Sequence, residues 1–180
     1  MLILVGERAN GEAALSHDLS AECRLTHGAF RWGPAHDRLR SLGLGWDLAA
    51  NLLPRMPRLL APAEPRLARQ AAENLAVWAS RHRNVLLVLC GARVAGAFGL
   101  AYEPLCEDQW LDVEGGHRVH VLQSAHPSGL CRWWNEGTNV GRARAAFARA
   151  TGMYKDYAPV PDGTYSDRAL VRKLSCAGTA

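Results

Sequence analysis

The chain has 180 residues, enough for a single domain with a substantial core. Its 48% hydrophobic and 21% charged residues fit a folded globular protein and exclude a disordered one. The net charge of +4 is compatible with an anionic partner, and no apolar run reaches bilayer length.

The opening run Met1-Leu2-Ile3-Leu4-Val5-Gly6 has no basic flank and is short for a signal peptide, so it reads as a buried strand ending in a tight loop. That leaves the cytoplasm as the expected compartment. Residues 7–33 are polar without clear periodicity and read as a long loop with at most a short helix. Pro34 opens a helix with Leu39, Leu42 and Leu44 on one side, and Gly43 and Gly45 break it. Residues 46–51 form a short helix or lead into a strand at 50–53, which Pro54 stops. Pro54, Pro57, Pro62 and Pro65 mark a surface connection. An amphipathic helix follows over 65–82, with Leu67, Ala71, Leu75 and Trp78 at helical spacing. The run Val85-Leu86-Leu87-Val88-Leu89 is a central strand, then Gly91, then a helix over 92–99. Residues 118–123 alternate as a strand, 138–151 form an arginine-bearing helix, and the tail is irregular apart from a short helix near 167–174. Strands separated by helices predict one α/β domain: a small parallel sheet of about four strands with helices on both faces. In such sheets ligands bind at the carboxyl ends of the strands. The loops after Val5, around Asn51 and after Ser124 are therefore expected to meet at one edge.

Only Lys155 and Lys173 among the 21 basic residues are lysines. Arginine suits phosphate, although a GC-rich coding sequence accounts for the excess equally well. The five cysteines are scattered and odd in number, which argues against a disulfide framework or a zinc ribbon. His117 and His120 lie three apart, on opposite faces of a strand, which argues against a shared metal. Trp133-Trp134 fits packing beneath the neighbouring loop better than stacking on a ligand. Arg142, Arg144 and Arg149 suit either a phosphate backbone or a solvated helix face.

The segment His126-Pro127-Ser128-Gly129-Leu130-Cys131-Arg132 carries the clearest chemical signal. It combines donors, a rigid turn and a leucine beside a glycine, a pattern seen where an apolar residue wedges into a base stack. A plain turn with Leu130 folded back onto the protein is the alternative. The segment resembles the His-Pro-Ser loop of the uracil-DNA glycosylase superfamily, and its Gly-Leu continuation is similar to the mismatch-specific members. Gly6-Glu7-Arg8-Ala9-Asn10 resembles the superfamily's first motif. The stretch from Gly28 to Leu39, with Phe30 and Trp32, resembles its Pro-Phe-Val-Gly-Pro-Ala segment. Asn51-Leu52-Leu53-Pro54 resembles the strand end that reads uracil, and Leu89-Cys90-Gly91 its structural strand–glycine–helix. These matches span roughly residues 2–135, in the family's order.

The resemblance implies a monofunctional, cofactor-free and metal-free hydrolase that acts, as a monomer, on uracil in DNA and leaves an abasic site. Base excision needs the nucleotide out of the duplex. His126 is then expected to donate to the base O2 as negative charge develops there. Asn51 pairs with O4 and N3–H, and Phe30 or Trp32 stacks on the ring. Ser128, Gly129 and Arg132 hold the strand, and Leu130 fills the gap in the stack. Arg8 stands where many members carry the water-orienting Asp or Asn. Arginine cannot act as a base at neutral pH, so Glu7, or failing that Glu12, becomes the candidate carboxylate, with Asn10 able to place a water. An ion pair with Arg8 is the structural alternative for Glu7. The cysteine pattern does not match the iron–sulfur ligands of thermophile-type members, so no cluster is expected. Rival readings are a glycosylase for another modified or deaminated base, a non-catalytic binder of uracil-containing or abasic DNA, and a small-nucleotide hydrolase.

Overall fold

In the computed structural model, residues 1–8, 25–26, 34–53, 63–82, 84–105, 109–128 and 130–154 are described. The two apolar runs seen in the sequence become neighbouring central strands, β1 (Leu2–Arg8) and β4 (Leu86–Cys90). They pair in parallel, Leu2 with Leu86 through Val5 with Leu89. Between them in sequence lie β2 (Leu25–Thr26), α1 (Pro34–Ser41), β3 (Leu48–Leu53) and α2 (Glu64–Ser80). After them come α3 (Ala92–Ala97), β5 (Gln109–Val113), β6 (His117–Ser124), a 3-10 turn (Arg132–Asn135) and α4 (Gly137–Met153).

The described strands form one sheet in the order β2-β3-β1-β4-β6-β5. The fold is α/β, as the alternation of elements predicts. The expectation of a purely parallel sheet of about four strands needs correction. The central four, β3-β1-β4-β6, are parallel, and antiparallel strands β2 and β5 border them on either side. The β1 strand also runs on to Arg8, so Glu7 and Arg8 belong to the sheet and not to a loop. Of the two options for residues 46–51 the strand is realised, as β3.

Successive strand residues point to opposite faces, and both faces of the centre are covered. Ile3, Val5, Leu87 and Leu89 pack with α2 and α3, around Leu75, Ala76, Val94 and Phe98. Leu2, Leu4, Leu86 and Val88 pack with α1, the 3-10 turn and α4, around Leu39, Trp134 and Phe147. A strand buried on both sides has no polar alternation, which is why β1 and β4 read as continuous apolar runs. The buried stripe of α2 is Ala72, Leu75, Ala76 and Ala79, whereas Leu67, near its amino end, stays 38% exposed. The three alanines bring the helix backbone close to the sheet.

The β5–β6 hairpin turns through Gly115 and Gly116, at φ +89° and +77°, where residues with a Cβ are strained. Leu111 and Val113 join the α2/α3 core while Trp110 faces outward, stacked on His120 at 4.8 Å. Tyr154 and His120 Nδ1 are 2.7 Å apart, joined by a hydrogen bond. The buried Gln123 amide ties this edge together. Its Nε2 donates to Ala101 O and Gln109 Oε1, and its Oε1 accepts from the Glu103 N–H, all at 2.9 Å. Among the described residues no helix is long and apolar enough to cross a membrane. The expected helix near 167–174 lies outside the described residues.

Candidate functional site at the carboxyl edge of the sheet

Parallel register aligns the carboxyl ends of the four central strands. Gly6 pairs with Asn51, and Cys90 with Ser124. Gly6 follows the Val5–Leu89 pair, so Asn51, Gly6, Cys90 and Ser124 form a row across the sheet. At ~4.8 Å per strand the row spans ~14 Å, the scale of one nucleotide. The strand ends from which the three expected loops leave thus lie side by side, and of those loops the one after Ser124 falls largely within the described residues. The chain leaves β1 for β3 on one side, then returns past β1 to β4 on the other. The β1/β4 junction is thus where the strand order reverses, the usual crevice for ligands in open α/β sheets.

Asn51 closes the row on the β3 side. Alternation places its side chain on the α1/α4 face, with Ala49. Its amide N and O are both buried, and neither has a hydrogen-bond partner. Gln123 is the contrast: a fully buried residue with every side-chain polar atom engaged. Leaving a buried amide unpaired costs about 1–3 kcal/mol per group, so an orphan at a crevice is a candidate for pairing with a ligand.

His126 closes the row on the β6 side. It is exposed, two residues past the end of β6, and its ring lies against Gly91. Gly91 has φ 97° and ψ 165° and donates its N–H to Ser124 O at 2.8 Å. A Cβ added to it would lie 3.1 Å from His126 Cβ and 3.3 Å from Cδ2, so glycine is required for the ring to sit there. The Ser128 N–H donates to His126 Nδ1 at 3.2 Å. An accepting Nδ1 has no proton of its own, so the neutral ring carries its proton on Nε2. The tautomer set by the loop is therefore the one that presents an Nε2–H donor.

Trp134 supports the loop from below. Its indole is buried, and Nε1 donates to His126 O at 2.7 Å. Trp133 packs edge-on against it. The tryptophan pair thus underpins the loop, as the sequence favoured. The loop's leucine does the opposite: Leu130 is 94% exposed, so the option of its folding back onto the protein is not realised. Arg132 is exposed in the adjoining 3-10 turn, and Ser128 is partly buried. Cys90 sits beneath this edge, and burial pushes its thiol up to about 12, so it stays protonated and non-nucleophilic.

Glu7 follows Val5 onto the α2/α3 face, opposite to that of Asn51. Its Oε1 accepts from Arg93 Nη1 at 3.0 Å, with the carboxylate side chain 23% and the arginine 80% exposed. This partner stands in the first turn of α3, whereas the expected pair with Arg8 falls on a side chain outside the described ones. Glu7 and Arg93 both flank the β1/β4 junction. Arg93 was not foreseen; a lone arginine after a structural glycine carries no local signal. Arg38 was also missed, and the structure brings it to the His126 loop from α1.

No protein-family model, curated protein or solved structure matches this chain. The site therefore stands on its own geometry. Phe30, Trp32, Asn10, Glu12 and Gly129 lie outside the described residues, and Arg8 is described only as part of β1.

Proposed function

We propose that this protein is a DNA glycosylase that hydrolyses the N-glycosidic bond of uracil in DNA and leaves an abasic site. The observation that carries the reading is the unpartnered, buried Asn51 amide, set in the same strand-end row that leads to His126. An amide presents a donor beside an acceptor, the pattern complementary to the O4 and N3–H of uracil. Cytosine offers a donor and an acceptor in the opposite order, so the same amide orientation discriminates against it. The exposed Leu130 supplies an apolar group that can occupy the space of a flipped nucleotide.

In the proposed reaction the C1′–N1 bond breaks first. Its electron pair moves onto the base, where charge collects at O2, and His126 Nε2–H donates there. Water then adds to C1′ and loses a proton to solvent or to a carboxylate, of which Glu7 is the described candidate. Ser128 and Arg132 lie on the loop that would meet the backbone phosphates.

The test is incubation of the purified protein with single- and double-stranded oligonucleotides holding one uracil, in the presence of a chelator, followed by alkaline cleavage. Strand scission at the uracil is expected. Absence of scission on all substrates, or activity lost to chelator and restored by zinc, refutes the reading. A second reading, a non-catalytic binder of uracil-containing or abasic DNA, is favoured by one observation: Glu7 is held by Arg93. Retention of the same oligonucleotides in a gel without scission would select it.

A further inference from the structure

Arg38 lies in α1, 88 residues or more before the loop it touches, and is half-buried. Its Nη1 donates to Ser128 O at 2.9 Å and, more weakly, to Pro127 O at 3.4 Å. Its guanidinium also lies 5.9 Å from the centre of the Trp134 ring, within cation–π range. Trp134 is the residue whose indole N–H holds His126 O. Arg38 is thus connected to the loop by two carbonyls and by the tryptophan that fixes a third.

The geometry of one peptide gives this contact its meaning. In a trans peptide the C=O and N–H point in opposite directions. The peptide between Pro127 and Ser128 offers its C=O to Arg38 and its N–H to His126 Nδ1. The guanidinium and the imidazole therefore sit on opposite sides of the same peptide group. Drawing Pro127 O and Ser128 O toward the arginine aims the Ser128 N–H at Nδ1, and a charged donor on the carbonyl polarises that N–H.

We propose that Arg38 is a positioning residue for His126: through the Pro127–Ser128 peptide it holds the imidazole as the neutral Nε2–H tautomer with its donor facing the strand-end crevice. The assignment of a use to that donor rests on the glycosylase reading, whereas the control of the tautomer does not. Arginine suits the role because one planar group serves adjacent carbonyls while its face lies over an indole. Lysine can serve a carbonyl but cannot stack in the same way.

The test uses the full chain with ¹⁵N-labelled histidine. Long-range proton–nitrogen spectra report the tautomer of each ring, and His126→Gln identifies the His126 signals. In the parent protein His126 is expected in the Nε2–H form. Arg38→Met keeps an apolar stem against Trp134 but has no donor, so it separates hydrogen bonding from packing. It is expected to give a mixture of tautomers, and to slow single-turnover uracil excision by roughly tenfold if the ring swings by about half an ångström. Arg38→Lys, with one donor restored, is expected to recover part of both losses. Thermal melts confirm that spectra and rates come from folded protein. An Arg38→Met protein with the parental tautomer and rate overturns the proposal and leaves Arg38 as packing. An Arg38→Lys protein no better than Arg38→Met also overturns it. A changed tautomer in Arg38→Met, with no excision by the parent, leaves Arg38 in its role and sinks the glycosylase reading instead.

Discussion

Replacing Gly91 with alanine should damage stability and chemistry through two separable effects. The first is conformational. At φ 97° and ψ 165° the residue occupies a region that is nearly glycine-only, and forcing a Cβ there costs about 1–3 kcal/mol. For a chain of this size that corresponds to a melting temperature lower by about 2–12 °C. The second is steric. The new Cβ would lie 3.1 Å from His126 Cβ and 3.3 Å from Cδ2, against ~3.5–4.0 Å for carbon atoms at contact. The ring must retreat by about half an ångström. Since a displacement of 1 Å can cost 10²-fold, the expected loss in single-turnover uracil excision is on the order of tenfold. Gly43→Ala is the matched control: its φ is +86°, but a Cβ there meets nothing within 4 Å. It should lose stability and leave the rate of the folded protein unchanged. Melts of both variants, with rates measured well below either transition, make the comparison. If Gly91→Ala excises uracil as fast as Gly43→Ala, the His126 ring position has no bearing on the chemistry.

Three further outcomes follow from the same edge. His126→Ala should lose roughly a hundredfold or more in single-turnover rate, the typical worth of one such donor, and Glu7→Gln should lose less; the reverse order would restore a carboxylate-led mechanism. Asn51→Ala should melt no lower than the parent, because it removes two unpaired buried atoms. It should nevertheless lose about 1–3 kcal/mol of discrimination between uracil and cytosine, and a destabilised variant with intact selectivity contradicts both halves. Leu130→Ala should leave the melting temperature unchanged, since the side chain is 94% exposed. It should weaken retention on abasic duplex more than on single strands, and equal losses would remove its role as a wedge.

The parts of the fold that were readable from the sequence are those where burial leaves a one-dimensional trace. β1 and β4 are covered on both faces, so their composition alone marks them. The amphipathic helix α2 was placed to within two residues at each end; of its expected stripe Leu75 is buried, Ala71 and Trp78 pack partly buried against the core, and Leu67 is exposed, while Ala72, Ala76 and Ala79 complete the buried face. β5 left a fainter trace. Its Leu111-Asp112-Val113 alternation is only three residues long, yet Gly115-Gly116 directly before β6 is a hairpin signal that would have revealed it. At the candidate site, Asn51 and His126 were singled out by resemblance to family motifs; the structure sets Asn51 within β3 and His126 two residues past β6, and neither the unpaired amide nor the contact with Gly91 leaves a local trace. What the sequence could not convey was pairing at a distance. Glu7 and Arg93 are 86 residues apart, and Arg38 and Ser128 are 90 apart. No local pattern distinguishes those arginines from the many on solvated helix faces. The sequence placed Gly91 correctly as a strand-to-helix glycine, but its contact with His126 emerges only when β4 and β6 are laid side by side.

The Glu7–Arg93 pair bears directly on which chemistry the edge supports. Glu7 emerges on the α2/α3 face and Asn51 on the α1/α4 face. A base held by Asn51 therefore has the carboxylate across the sheet edge and not beside its own amide. Such an arrangement suits a group acting on the sugar side of a nucleotide that straddles the β1/β4 junction. Arg93 is 80% exposed, and an ion pair so open to water contributes little to stability. An incoming phosphate would compete for the same guanidinium, with a planar fork ready to receive it. Phosphate binding at Arg93 would then free Glu7 at the moment a nucleotide enters, the step that the catalytic reading requires and the binder reading does without. The place of Glu7 on the face opposite to Asn51 argues that charge on the leaving group is met by His126, which makes the histidine, and the loop contacts that orient it, the more sensitive target for substitution.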